Sequence, residues 1–97
     1  MIMAKRNQWD IAAAILKIAE NGSRKTRIMY RCNMSYRQLE VYLKFLTGMG
    51  FLHNGDDFYS TTQKGIKFVK AYDHMLEILP GEETKQKVES MTHYLRN

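Results

Sequence analysis

Residues 35–46, SYRQLEVYLKFL, decide the fold. Leu39, Leu43 and Leu46 recur at the spacing of one helical face, so we expect them to point into a core. The opposite face carries three polar residues and one valine: Arg37, Gln38, Val41 and Lys44. The segment is therefore predicted to be an amphipathic helix with one face in the core and the other exposed.

Local signals mark both ends of this helix. Ser35 is a favourable N-cap, and Gln38 stands where its side chain completes a capping box. Gly48 and Gly50 are placed to end the helix. The predicted helix therefore begins where the quoted segment begins.

Two further helices are predicted upstream. Asn7 as N-cap starts the first, over roughly residues 8–20, and Asn21-Gly22 ends it. Ser23 or Thr26 can cap a short second helix. The inward side of this second helix is expected to hold three residues: Ile28, Met29 and Cys32.

A small hairpin is predicted downstream. Residues 51–53 and 58–60 are short β-prone runs, and the tetrapeptide Asn-Gly-Asp-Asp at 54–57 lies between them. The Asn-Gly pair tolerates the positive φ angles that a tight hairpin requires. We therefore expect two antiparallel strands at this point.

The next helix, capped by Thr61 or Thr62, has a wider apolar surface than one contact needs. A helix that is apolar around much of its girth must pack against two surfaces, here its own domain and a second copy of the chain. The predicted dimer interface comprises six residues: Phe68, Val69, Tyr72, Met75, Leu76 and Leu79. Pro80-Gly81 then breaks the pattern, and a short terminal helix is expected beyond it.

The order of these elements predicts a mainly α fold with a small β-hairpin. Two helices joined by the turn at residues 32–35 form a helix-turn-helix, and the hairpin that follows is a wing. We predict a winged helix-turn-helix region over residues 1–65 and a C-terminal helical dimerisation region over residues 66–97. Together they form one compact domain.

Several runs carry a resemblance to a known family. They are GSRKTRIMY at residues 22–30, MSY at residues 34–36 and YSTTQKG at residues 59–65. The chain resembles the small archaeal winged-helix DNA-binding proteins over roughly residues 8–79. Some members of that group dimerise through a long C-terminal helix in an antiparallel coiled coil. The resemblance implies a winged-helix fold, double-stranded DNA as the ligand and a homodimer.

Two features depart from that family pattern. The wing tip at residues 54–57 is acidic, whereas a wing that grips DNA would carry Lys or Arg. His53 is the only candidate cation of this loop. Pro80-Gly81 also shortens the long helix, so a compact helical pair is an alternative to an extended coiled coil.

Charge is distributed unevenly along the 97 residues. The first 50 residues contain nine Lys and Arg against three acids, whereas the remainder contains six against seven. A basic field confined to one half of the chain suits a polyanion, because neutralising phosphates releases condensed counterions. A solvated basic face without a ligand is the alternative explanation.

The exposed face of residues 35–46 has the residue types that contact base edges. A guanidinium suits guanine or phosphate, an amide suits adenine, and a valine suits the thymine methyl group. Arg24 and Lys25, at the start of the second helix, are predicted to hold phosphates. The predicted DNA-binding residues are Arg24, Lys25, Arg27, Tyr36, Arg37, Gln38, Val41 and Lys44. Glu40 fits this set poorly and could accept a hydrogen bond from cytosine, form a local ion pair or lie to one side.

The sequence argues against catalysis and against a cofactor. His53, His74 and His93 lack metal-ligand spacing, and the chain has neither a glycine-rich phosphate loop nor paired carboxylates in a pocket-forming context. One cysteine cannot form an internal disulfide, and no signal segment or membrane-spanning run is evident. We expect a cytoplasmic, nucleoid-associated protein with no membrane partner, and no small-molecule ligand is evident.

The predicted function is binding of duplex DNA by a homodimer, as a transcriptional regulator or nucleoid-associated protein. The alternative is a winged-helix module for protein interaction, in which the acidic wing reflects weakened DNA contact. RNA binding ranks below both, because no aromatic pair on a sheet is available for base stacking.

Overall fold

The computed structural model describes residues 7–79, which form the predicted winged helix-turn-helix. The elements in chain order are α1 (Gln8–Ile18), β1 (Ser23–Arg24), α2 (Lys25–Arg31), α3 (Tyr36–Gly48), β2 (Leu52–Asn54), β3 (Phe58–Thr61) and α4 (Gln63–Ile78). The predicted terminal helix and the Pro80-Gly81 break lie outside the described residues. None of the helices within residues 7–79 has the length and apolarity needed to cross a membrane.

α1 begins at the predicted cap. The Asn7 side chain accepts from the backbone N–H groups of Trp9 and Asp10, and the Asp10 carboxylate accepts from the Asn7 backbone N–H. The helix ends at Ile18, two residues before the predicted end. Its last turn is tied to the sheet, because the Thr61 hydroxyl donates to the Leu16 carbonyl at 2.7 Å.

The helix-turn-helix has the predicted turn, since α2 ends at Arg31 and α3 begins at Tyr36. Asn33 has a φ of +54°, in the left-handed region that Asn tolerates better than most residues. The Ser35 and Gln38 capping box is confirmed: each backbone N–H is bonded to the other residue's side chain.

The predicted cap of α2 is wrong. Ser23 is paired with Tyr59 in a strand, and Thr26 lies inside the helix, so neither is its N-cap. Arg24 occupies that position without a capping hydrogen bond from its side chain. Pairing with β3 holds the backbone of Ser23 extended, and the Ser23 hydroxyl donates to the Arg24 carbonyl instead.

The predicted hairpin is present, but the sheet has a third strand. The order is β1-β3-β2 with antiparallel pairs, so β3 is central. The backbone N–H of Gly55 donates to the Phe58 carbonyl at 2.8 Å and closes the wing tip. β1 therefore joins the start of α2 to the wing.

The core lies between α1, α2, α3 and the first strand of the wing. Its buried members are Ala12, Ile15, Leu16, Ala19, Ile28, Cys32, Leu39, Leu43, Leu46, Phe51 and Leu52. The three leucines of the opening segment are thus buried as predicted. Phe68 and Val69 of α4 pack against this core and are partly buried.

α4 is fastened to the end of α3. Thr62 is its N-cap, and the Thr62 hydroxyl also donates to the Gly50 carbonyl at 2.6 Å. Lys64 donates from Nζ to the Met49 carbonyl at 2.9 Å. Met49 is the C-cap of α3 and Gly50 follows it, so these bonds tie the first turn of α4 to the end of α3.

Candidate nucleic-acid interface

The predicted contact face of α3 is exposed. Arg37, Val41 and Lys44 follow one another at intervals of four and three residues, so they lie along one side of the helix. Val41 is 63% exposed although its side chain is aliphatic. An exposed stripe with two cations around one branched apolar side chain can contact phosphates and a thymine methyl group.

Gln38 shares this end of α3, but its amide has a structural role. The Gln38 carbonyl oxygen accepts from the Ser35 backbone N–H at 3.2 Å. A bidentate contact with adenine uses both ends of an amide, and here the oxygen is occupied by the cap. Contact through the amide nitrogen alone is compatible with an intact cap.

Lys25 is engaged within the protein. Its ammonium lies 2.5 Å from a carboxylate oxygen of Glu40 and 3.4 Å from the Tyr36 hydroxyl. It also lies 5.1 Å from the centre of the Tyr36 ring. Of the three possibilities for Glu40, the structure therefore shows the local ion pair, which links α2 to α3.

This ion pair shifts the pKa values of both Lys25 and Glu40. The hydrogen bond from Lys25, followed by that with Tyr36, lowers the pKa of the Glu40 carboxyl. The bond to Glu40 raises the pKa of Lys25 above its ordinary value. Both groups are therefore charged throughout the neutral range, although solvent screening limits the stability gained from a pair this exposed.

We expect this pairing to be visible in an NMR titration of the side-chain carboxyl carbons. Glu40 should titrate below the usual glutamate range, and its midpoint should rise when Lys25→Gln removes the ammonium. A lowered pKa stabilises the folded state above the ordinary carboxyl pKa, and this contribution is lost as pH falls through the lowered value. Identical midpoints in the two proteins would contradict the ion pair.

Arg24 lies beside the wing. Its guanidinium carbon is 5.7 Å from the centre of the Phe58 ring, within the range of a cation–π contact. A groove next to it contains both basic and acidic groups and is lined by Arg24, Lys25, Thr26, Asp56, Asp57 and Tyr59. The structure thus places the acidic wing tip and the predicted phosphate-binding residues around the same groove.

The rest of α2 presents a basic edge. Arg27 and Arg31 are exposed one turn apart, and Tyr30 between them is 79% exposed. Tyr30 was absent from the predicted contacts. Its position three residues after Arg27 was the available signal, because residues three apart share a helical face.

The predicted dimer residues fall into two groups, on α4 and at its C-cap, Leu79. Phe68, Val69 and Tyr72 are partly buried, and the first two pack on the core. Met75, Leu76 and Leu79 are 44%, 38% and 42% exposed. Ile78, which was not predicted, is 70% exposed. The second half of α4 therefore has an apolar surface uncovered within residues 7–79.

The described residues offer no evident metal centre. Within residues 7–79, no group of three or more His, Cys, Asp or Glu side chains is arranged to hold a metal ion. The polar side chains of the site are instead suited to hydrogen bonds and ion pairs with an anionic partner.

Comparison with known proteins identifies the family. The sequence model described as winged helix-turn-helix matches residues 5–80. An uncharacterized protein of Methanocaldococcus jannaschii, MJ0287, is 33% identical over 76 residues, which span 77% of this chain and 78% of that protein. The match covers most of both chains, and the relative comes from an archaeon.

Two solved structures show the same architecture. Sso10a-2, a DNA-binding protein from Sulfolobus solfataricus, superposes with a TM-score of 0.73 at 25% identity, covering 95% of this chain and 99% of its own. MepR, a transcription regulator from Staphylococcus aureus, gives a TM-score of 0.58 at 20% identity, covering 88% and 75%. The second likeness supports the fold alone. With the family match across residues 5–80, these findings show that the chain belongs to the winged helix-turn-helix family.

Proposed function

We propose that the protein binds duplex DNA as a homodimer, with α3 in the major groove and α2 crossing the phosphate backbone. The exposed stripe of Arg37, Val41 and Lys44 on the second helix of a helix-turn-helix is the observation that carries this proposal. The second helix is the one that enters the groove in this motif. The resemblance to Sso10a-2, which is a DNA-binding protein, supports the same ligand.

The charge around this stripe favours a polyanion. Arg27 and Arg31 add two exposed cations on α2. Phosphate contacts position a protein on the duplex, whereas base contacts select the sequence. A regulator and a general nucleoid protein share the first kind of contact, and both roles place the protein in the cytoplasm with the nucleoid.

The experiment that tests DNA binding is fluorescence anisotropy with a mixed-sequence duplex across a salt series. We expect log K to fall linearly with log salt, with a slope of about −0.9 for each phosphate contacted. Complete absence of binding at low salt would refute the proposal. Binding that does not vary with salt would also contradict it, because phosphate contacts release counterions.

The proposed homodimer uses the second half of α4. Met75, Leu76, Ile78 and Leu79 expose apolar surface that a second copy would cover. The first half of α4 packs on its own core, so one helix would serve two contacts, as its wide apolar surface indicates. The two copies of α3 in such a dimer would contact two half-sites on the same duplex.

Replacing Leu76 with Asp should weaken this dimer. Leu76 is 38% exposed in one copy, so the dimer would bury only part of a side chain whose full burial is worth about 1.5–3 kcal/mol. Both copies carry the substitution, so its cost counts twice, and the dimer dissociation constant should rise by roughly 10- to 100-fold. Sedimentation over a concentration series measures the change. The control is His74→Asp, which adds a negative charge to the polar side of α4. Equal effects of the two substitutions, or a wild-type monomer at high micromolar concentration, would contradict the proposed interface.

A protein-interaction module is the second candidate function. The acidic wing tip with exposed Asp56 and Asp57 favours it, because these carboxylates would repel phosphates near the wing. Under this alternative, α3 would contact a protein partner. The salt series distinguishes the two functions, since only DNA binding gives the slope set by phosphate neutralisation.

A further inference from the structure

The ion pair between Lys25 and Glu40 lies where the two helices of the helix-turn-helix meet. Lys25 is the first residue of α2, and Glu40 lies in the second turn of α3. The Lys25 and Glu40 side chains are 31% and 33% exposed, so solvent reaches both. Tyr36 completes the contact, with its hydroxyl near the ammonium and its ring beneath the charge.

We infer that Glu40 occupies Lys25 in place of a DNA phosphate and thereby limits affinity for DNA of any sequence. This inference rests on the proposed DNA binding. A lysine already paired with a carboxylate contributes no net charge to the interface. A phosphate can use that ammonium only by displacing Glu40, and the displaced carboxylate would then lie unpaired near the duplex.

The surroundings of Glu40 support this role. Glu40 stands three residues after Arg37 and four residues before Lys44, so it lies between the two proposed contacts on α3. It also lines a groove between α3 and the wing, together with Lys44, Asn54 and Tyr59 among others. The carboxylate is therefore close to the proposed DNA surface but bonded to a cation from α2.

The pairing of Lys25 with Glu40 would affect general affinity for DNA and sequence discrimination differently. Contacts with phosphates strengthen binding to every sequence equally, whereas discrimination depends on base edges. Withholding one cation from the phosphates lowers affinity for all DNA without removing a base contact. Glu40 would thus lower affinity for every sequence and leave the base contacts of α3 unchanged.

A four-protein cycle tests the inference: the full-length wild type, Glu40→Gln, Lys25→Gln and the double variant. Each is titrated with one mixed-sequence duplex over the salt series, after its melting temperature confirms folding. In the wild-type background, Glu40→Gln should steepen the log–log slope by about 0.9 and tighten binding by roughly five- to tenfold at ~0.1 M salt. In the Lys25→Gln background the same substitution should not steepen the slope.

The other outcomes separate competing explanations. Equal steepening in both backgrounds would overturn the inference, because Glu40 would then act as a general negative charge. Weaker binding by Glu40→Gln would overturn it as well and would favour a base contact such as that with cytosine. Salt-dependent binding by all four proteins with equal slopes refutes only the role of Glu40. A wild type that does not bind DNA at all refutes the proposed function itself.

Discussion

Replacing Gly65 with alanine is expected to destabilise the fold by about 3 kcal/mol. Gly65 is buried in the first turn of α4, and a Cβ there would overlap the Phe51 carbonyl oxygen and lie 2.6 Å from the Thr61 methyl carbon. A backbone oxygen cannot rotate away as a flexible side chain can. α4 would have to move off the start of the wing, which would disturb the bonds from Thr62 and Lys64 to the end of α3.

Thermal unfolding by circular dichroism measures this effect. For a domain of this size, a destabilisation of about 3 kcal/mol lowers the melting temperature by roughly 12–24 °C. Gly48→Ala is the matched control, because Gly48 is also helical and a Cβ there would meet nothing within 4 Å. The control should leave stability unchanged or raise it by up to ~1 kcal/mol. Similar melting temperatures for both variants would show that α4 does not approach Phe51 this closely.

Removing both cations from α3, by Arg37→Ala with Lys44→Ala, should weaken DNA binding by roughly two orders of magnitude at ~0.1 M salt. Both side chains are exposed, so the fold should be unaffected. The log–log slope should become shallower by about 1.8, which is 0.9 for each phosphate that the variant no longer neutralises. Anisotropy with the same duplex across the salt series gives both quantities.

The control removes the same net charge from another helix. Lys67 and Lys70 are exposed on α4, which is outside the helix-turn-helix segment. Lys67→Ala with Lys70→Ala therefore separates the effect of specific contacts from a general decrease in positive charge. If both double variants bind DNA equally well, α3 is not the contact helix and the charge of the whole protein determines affinity.

The sequence predicts this fold where the signals are local. Ser35 and Gln38 lie three residues apart, and their capping box marks the start of α3 without reference to the rest of the chain. The leucine spacing of α3 is equally local. The Asn-Gly pair marked the position of the wing, but neither residue has the positive φ on which that prediction relied, and Asn54 lies within β2. β1 has only two residues, too few to show alternation, and it exists because β3 offers a free edge.

The site was harder to predict, because its decisive contacts join distant residues. Lys25 and Glu40 are 15 positions apart, and sequence spacing cannot show that the turn between α2 and α3 brings them together. Exposure of Arg37, Val41 and Lys44 followed from periodicity, since the opposite face had to be buried. The occupied carbonyl of Gln38 could have been foreseen, because the capping box that predicts the helix also uses that oxygen.

The bonds from Thr62 and Lys64 to the end of α3 have a consequence for target selection. They connect the end of α3, the proposed contact helix, directly to α4, the proposed dimerisation helix, with no intervening flexible linker among the described residues. In such a dimer, the distance between the two α3 helices would follow from the packing of α4 against α4. The number of base pairs between two half-sites would then be a second criterion for target selection, in addition to the bases within each half-site.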